Sequence, residues 1–198
     1  MDKKVLEEKT LIVGFDDSNH AGDRKGDILV ASFSFNHEDS LIQKFKNRKD
    51  RTIVSEWFDE DKSRDYRFAT LSDRILRNMQ PNLQLVAPYL IEDFLKSYRG
   101  KIKGIKTYFD GIMNSWHKKF LREHFLEKFE FFSVDNFIKK GNLHNCPKTI
   151  YISHVLAHDL YEESFQEIIN HEKRVEIPDG NEILRIFTNY KNECTRVS

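Results

Sequence analysis

Asp16 and Asp17 stand side by side where an apolar run, Leu11-Ile12-Val13-Gly14-Phe15, stops, and a second apolar run from Asp27 to Phe33 follows soon after. Ionised carboxylates this close repel one another unless solvent, hydrogen bonds or a cation offsets the repulsion. A divalent metal is the natural reader of such a pair. Solvated residues opening an ordinary loop are the other reading, because polar loops begin where strands end. The pattern returns in Ile105-Lys106-Thr107-Tyr108-Phe109-Asp110-Gly111, a short strand ending in a carboxylate and a glycine. A fourth carboxylate, Asp159, lies inside a long helical stretch, four residues after Val155 and three after Leu156. That spacing puts it at the border of the buried stripe, where a carboxylate needs a partner because burying one unpaired is costly.

The elements that must position these residues follow from periodicity. Residues 10 to 16 and 27 to 36 read as a hairpin joined by the polar, glycine-containing loop from Ser18 to Gly26. The second strand has two faces, Ile28, Val30, Ser32 and Ser34 against Leu29, Ala31, Phe33 and Phe35. Thr52 to Ser55 offers a third strand. Between residues 66 and 79, Phe68, Leu71, Ile75, Leu76 and Met79 recur at helical spacing, and Pro88 to Tyr98 reads as another helix. Residues 115 to 128 predict a helix that packs Trp116, Phe120, Leu121 and Phe125, and Phe129 to Val134 a strand. The last long helix starts at Pro147 and runs towards Ile169. Helices covering a sheet define an α/β protein.

The chain of 198 residues is long enough to bury a real core, and residues 1–198 read as a single domain without repeat or linker. With 39% hydrophobic and 32% charged residues, no run approaches a membrane span, and the N-terminus lacks the apolar stretch of a signal peptide. The expectation is a cytoplasmic protein. Cys146 and Cys194 have neither disulfide-framework nor zinc-ligand spacing. The 32 basic and 32 acidic residues cancel, so a polyanion would have to be held by a local patch. Lys44, Lys46, Arg48, Lys49 and Arg51 form one such patch, and Lys96, Arg99, Lys101, Lys103 and Lys106 another. Phe45, Trp57 and Tyr98 lie near enough in sequence to stack on bases. A solvated charged face is the alternative for each patch.

Taken in order, Val13-Gly14-Phe15-Asp16-Asp17-Ser18, Tyr108-Phe109-Asp110-Gly111 and Tyr151 to Asp159 resemble the acidic motifs of type 2 ribonuclease H. The resemblance spans roughly residues 10 to 165. It implies a ribonuclease-H-like mixed sheet flanked by helices and a metal-dependent nuclease acting on nucleic acid, in that family the RNA strand of an RNA/DNA hybrid. It also implies two Mg²⁺ or Mn²⁺ ions among Asp16, Asp17, Asp110 and Asp159, with Asp16 shared and Asp17 helping on one side. Hard oxygen ligands suit those ions better than zinc. The sequence departs from the family in two places: Asp17 replaces the usual Glu, and Asn19-His20-Ala21-Gly22 stands where a Gly-Arg-Gly reads the RNA side of a junction. No counterpart of the substrate-sensing tyrosine motif is found.

Around this constellation, His20, His154 and His158 could orient water or phosphate, Ser18 could cap the turn, and Glu162 and Glu163 could join a metal shell or stay solvated. A receiver domain would need a helix after the first acidic pair, and a haloacid-dehalogenase-type phosphatase an Asp-x-Asp. Neither fits. The rival from a different class is a noncatalytic module of the same fold that binds nucleic acid or protein.

Overall fold

The first apolar run forms strand β1 (Lys9–Asp17) and the second forms β2 (Asp27–Ser34), paired antiparallel from Ile12↔Ser34 to Asp17↔Leu29. The computed structural model describes residues 9–18, 27–45, 50–71, 82–111, 113–137, 144–163 and 165–196. After β2 come β3 (Ile42–Phe45), α1 (Arg51–Glu60), β4 (Asp65–Leu71), α2 (Ala87–Ser97), β5 (Ile102–Asp110) and α3 (Ser115–Leu126). The chain continues through β6 (Phe131–Phe137), β7 (His144–Pro147), α4 (Lys148–Glu162), α5 (Phe165–Asn170) and α6 (Gly180–Arg196). Five strands make one mixed sheet in the order β4-β2-β1-β5-β6, while β3 and β7 pair separately. β1 runs parallel to β5, and β5 parallel to β6.

Strand alternation sends successive residues to opposite faces, and both faces are covered. Leu11, Val13, Phe15, Leu29, Ala31 and Phe33 pack on one face with residues of α2, α3 and α6. Ile12, Ile28, Val30, Phe68 and Tyr108 pack on the other with α1 and α4. The fold is therefore α/β, with a mixed five-stranded sheet flanked by helices. Among the described residues, no helix is long and apolar enough to cross a membrane.

Two expected elements differ. Thr52 to Ser55 is the start of helix α1, not a strand: the Asp50 carboxylate accepts from the Thr52 amide at 3.2 Å, and Val54 and Trp57, three residues apart, are both buried. A side-chain cap and a helical apolar step outweigh the β propensity of four residues. The expected helix over 66 to 79 begins as strand β4, in register with β2 from Asp27↔Leu71 to Phe33↔Asp65, and its remainder from residue 72 lies outside the described residues. Phe68 and Leu71 are three apart, so a strand sends them to opposite faces; both are buried because helices cover both sides. The helix expected from Pro147 towards Ile169 also divides, into α4 and α5.

Helix α1 is fixed by a buried ion pair. Arg64 Nε lies 3.0 Å from Asp39 Oδ2, and both side chains are about 2% exposed. The Arg64 guanidinium also donates to Trp57 C=O at 2.6 Å, while Ser34 Oγ donates to Asp39 at 2.6 Å. This chain of contacts ties the end of β2 to the helix that carries Arg51.

His117 on α3 is buried against Gln84, with Nδ1 and Oε1 3.0 Å apart. Burial, helped by the nearby Lys191 ammonium, pushes its pKa down to about 4. The unfolded chain takes up this proton near pH 6.5, so between about pH 6.5 and 4 it binds more protons than the native state. Stability should thus fall on acidification through that window by up to roughly 3 kcal/mol, levelling off below it. Urea titrations of the wild type and His117→Gln at pH 7, 5.5 and 4.5 check this: the substitution should flatten the slope.

Candidate active site

The site is assembled where β1 meets α4. A Cβ on Gly14 would lie 2.3 Å from Thr149 C and 2.4 Å from Ile150 N, so only glycine lets the start of α4 approach the strand this closely. One turn along the helix, Ser153 Oγ donates to Gly14 C=O at 2.8 Å. Ser153 and Ser32 hydroxyls are 2.7 Å apart; because Ser153 spends its one proton on Gly14, Ser32 is the donor. The next residue, His154, then lands on Asp16, with Nδ1 2.8 Å from Oδ2. The other oxygen of Asp16 accepts the Asp17 amide at 2.9 Å. Asp16 is about 8% exposed, so these donors offset the cost of burying its charge.

Asp110 ends β5 beside Asp16. The last registered pair is Phe15↔Phe109, and the following residues on both strands share the face of Tyr108, Ile12 and α4. Asp17 follows the parity of Val13 and Phe15 and so projects to the opposite face, part-exposed at the strand end. Gly111 has φ +97°, a left-handed conformation that glycine adopts without steric cost, and it turns the chain away after Asp110. That turn is held by Gly111 N–H donating to Phe137 C=O at 2.7 Å and by Asn136 Nδ2 donating to Gly111 C=O at 3.2 Å.

Asp159 is placed differently. Its Oδ1 lies 2.8 Å from Arg51 Nε, with about a third of the side chain exposed, and the same guanidinium reaches Glu162 at 3.1 Å. Nothing local in the sequence marks Arg51 as its partner. Ser18 serves the turn: its N–H donates to Ile28 C=O and its Oγ accepts the Ile28 amide, each at 3.0 Å. His158 sets its ring edge-on to His154 at 4.8 Å. His20 and the segment from Lys46 to Lys49 lie outside the described residues.

Among the described residues, no three His, Cys, Asp or Glu side chains converge to hold a metal ion. The chemistry of the strand-end donors nonetheless fits a hard cation. Asp16 and Asp110 stand on one face of adjacent strands, and a carboxylate oxygen that accepts one donor can also ligate a hard cation. Asp159 does not fit while Arg51 holds it.

His154 is the residue whose role the sequence left open and the packing defines: it holds the Asp16 carboxylate in one orientation. If Asp16 ligates a divalent cation, His154→Ala should weaken Mn²⁺ binding about 10- to 100-fold, and His154→Gln, which keeps an N–H donor, should recover most of it. Electron paramagnetic resonance of free Mn²⁺ measures both without any turnover. Equal Mn²⁺ binding in all three proteins would remove this role.

No family model matches the chain, and no curated protein is significantly similar to it.

Proposed function

We propose that this α/β protein is a metal-dependent nuclease of ribonuclease-H-like architecture that hydrolyses phosphodiester bonds, with the RNA strand of an RNA/DNA hybrid as the first substrate to test. The observation that carries the reading is the placement of Asp16 and Asp110 side by side at the carboxyl ends of parallel β1 and β5, at the centre of the β4-β2-β1-β5-β6 sheet. Strand order, the antiparallel β1–β2 hairpin and the parallel β1–β5–β6 half all suit that architecture. The C-terminal edge of a parallel pair is also where α/β sheets bind ligands.

In this reading Asp16 and Asp110 hold Mg²⁺ or Mn²⁺, Asp17 supports them from the strand end, and Asp159 completes the set when Arg51 releases it. When bound, the metal supplies activation of water and stabilisation of the leaving oxygen. The chain itself does the positioning. Gly14 and Ser153 seat α4 on the sheet, His154 fixes the orientation of Asp16, and Gly111 ends β5 so that Asp110 stands at the edge.

The Arg51–Asp159 ion pair favours a second reading, a noncatalytic nucleic-acid- or protein-binding domain, because it engages one of the four carboxylates. Labelled RNA/DNA hybrid, single-stranded RNA, duplex RNA and duplex DNA, incubated with Mg²⁺ or Mn²⁺, separate the two. Metal-dependent cutting that disappears in Asp110→Asn supports the nuclease. Binding without cutting, indifferent to that substitution, supports the module.

A further inference from the structure

Helix α3 and strand β6 enclose a groove outside the carboxylate site. β6 is the last strand of the sheet, and one face of α3 sets Lys118, Lys119 and Arg122 along it, within about one helical turn. The enclosed volume is about 670 Å³. Its two acidic residues are Glu123 and Asp135; Glu123 already accepts Tyr190 OH at 2.6 Å and lies 3.8 Å from Lys119 Nζ. Among the described residues, neither Lys118 nor Arg122 has a carboxylate within ion-pair distance. At the entrance of the helix, Lys119 and Lys191 both lie over the part-exposed Trp116 ring, at 5.5 and 5.7 Å.

One end of the groove lies near the turn that follows Asp110, across the sheet edge from the face on which α4 covers the carboxylates. Lys118 Nζ donates to Asn136 Oδ1 at 2.7 Å, and Asn136 in turn donates to Gly111 C=O, immediately after Asp110. A ligand bearing regularly spaced negative charges, lying along α3, would therefore arrive at the turn that ends β5.

We propose that the α3–β6 groove binds the phosphodiester backbone of one strand of a nucleic acid and leads it to the Asp110 edge. The substrate class rests on the nuclease reading, whereas the groove's affinity for such a strand does not. With no net charge on the chain, attraction for a polyanion has to be local, and Lys118, Lys119 and Arg122 supply it. A volume of this size takes about one or two nucleotides of a strand.

The test is fluorescence anisotropy of a labelled single-stranded RNA, with the full chain in EDTA so that binding is read without hydrolysis. Combining Lys118→Gln, Lys119→Gln and Arg122→Gln should make the plot of log affinity against log salt shallower by about 2. Lys119→Gln with Arg122→Gln alone keeps the Lys118–Asn136 contact and should give about two thirds of that change. Asp135→Lys, at an exposed position on β6, should tighten binding. Unchanged affinity and slope in the triple variant, or absence of binding by the wild type, would each overturn the proposal. Cleavage in Mg²⁺ is scored separately: groove-dependent binding without hydrolysis would sink the nuclease reading and leave the groove standing.

Discussion

On the proposed nuclease reading, Asp16→Asn should reduce metal-dependent hydrolysis by about 10³-fold or more while leaving the fold intact. The large effect follows from charge. Asp16 is the most deeply buried of the strand-end carboxylates and lies on the face it shares with Asp110. A neutral amide binds a hard divalent cation poorly, and loss of roughly 4 kcal/mol of charge stabilisation corresponds to about 10³ in rate. The small effect on stability follows from shape. An amide oxygen can still accept from His154 Nδ1–H or from the Asp17 amide, the two contacts that Asp16 makes at 2.8 and 2.9 Å. Thermal unfolding should therefore stay within about 1 kcal/mol of the wild type. Single-turnover rates beside Mn²⁺ binding measure the first half, and a melting curve the second. Asn protein that cuts at the wild-type rate would leave Asp16 without a catalytic role.

The largest loss of stability should come from a single methyl group. In Gly14→Ala the new Cβ would sit 2.3 Å from Thr149 C, 2.4 Å from Ile150 N and 2.6 Å from Thr149 O. All three are backbone atoms at the start of α4, so no side-chain rotation relieves the overlap, and the helix has to move off β1. That movement strains the Ser153–Gly14 and Ser153–Ser32 hydrogen bonds and the His154–Asp16 contact together. We expect a cost of about 3 kcal/mol or more, a fall of roughly 6–12 °C in Tm. Mn²⁺ binding should weaken in parallel. Gly111→Ala provides the contrast: nothing lies within 4 Å of its new Cβ, and only the left-handed φ of +97° opposes the change. Its cost should be about 1–2 kcal/mol. Equal denaturation midpoints for the two variants would show that close approach of α4 is not what Gly14 provides.

The parts of this architecture that could be read along the chain are those with strong local periodicity. The β1–β2 hairpin shows as two short apolar runs bounding a polar loop, β5 ends in Asp110-Gly111, and the helices at Ala87–Ser97 and Ser115–Leu126 repeat apolar residues at helical steps. Where a segment is buried on both sides, the periodic signal disappears: Phe68 and Leu71 read as one helical stripe but occupy opposite faces of β4. Short runs such as Thr52 to Ser55 carry a propensity too weak to resist a cap and a buried tryptophan one turn away.

By itself the sequence determined which residue types are present to do chemistry: three carboxylates at two strand ends, a fourth in a late helix, and no global charge to attract a polyanion. Only the tertiary structure decided their company. It set Asp16 against His154 across 138 residues and Asp159 against Arg51 across 108, because it placed α4 on β1 at Gly14 and α1 beside α4. Such pairings arise from how elements pack, and no spacing along one strand or helix encodes them. They separate a carboxylate held in place at a strand end from one whose charge is already engaged by an arginine.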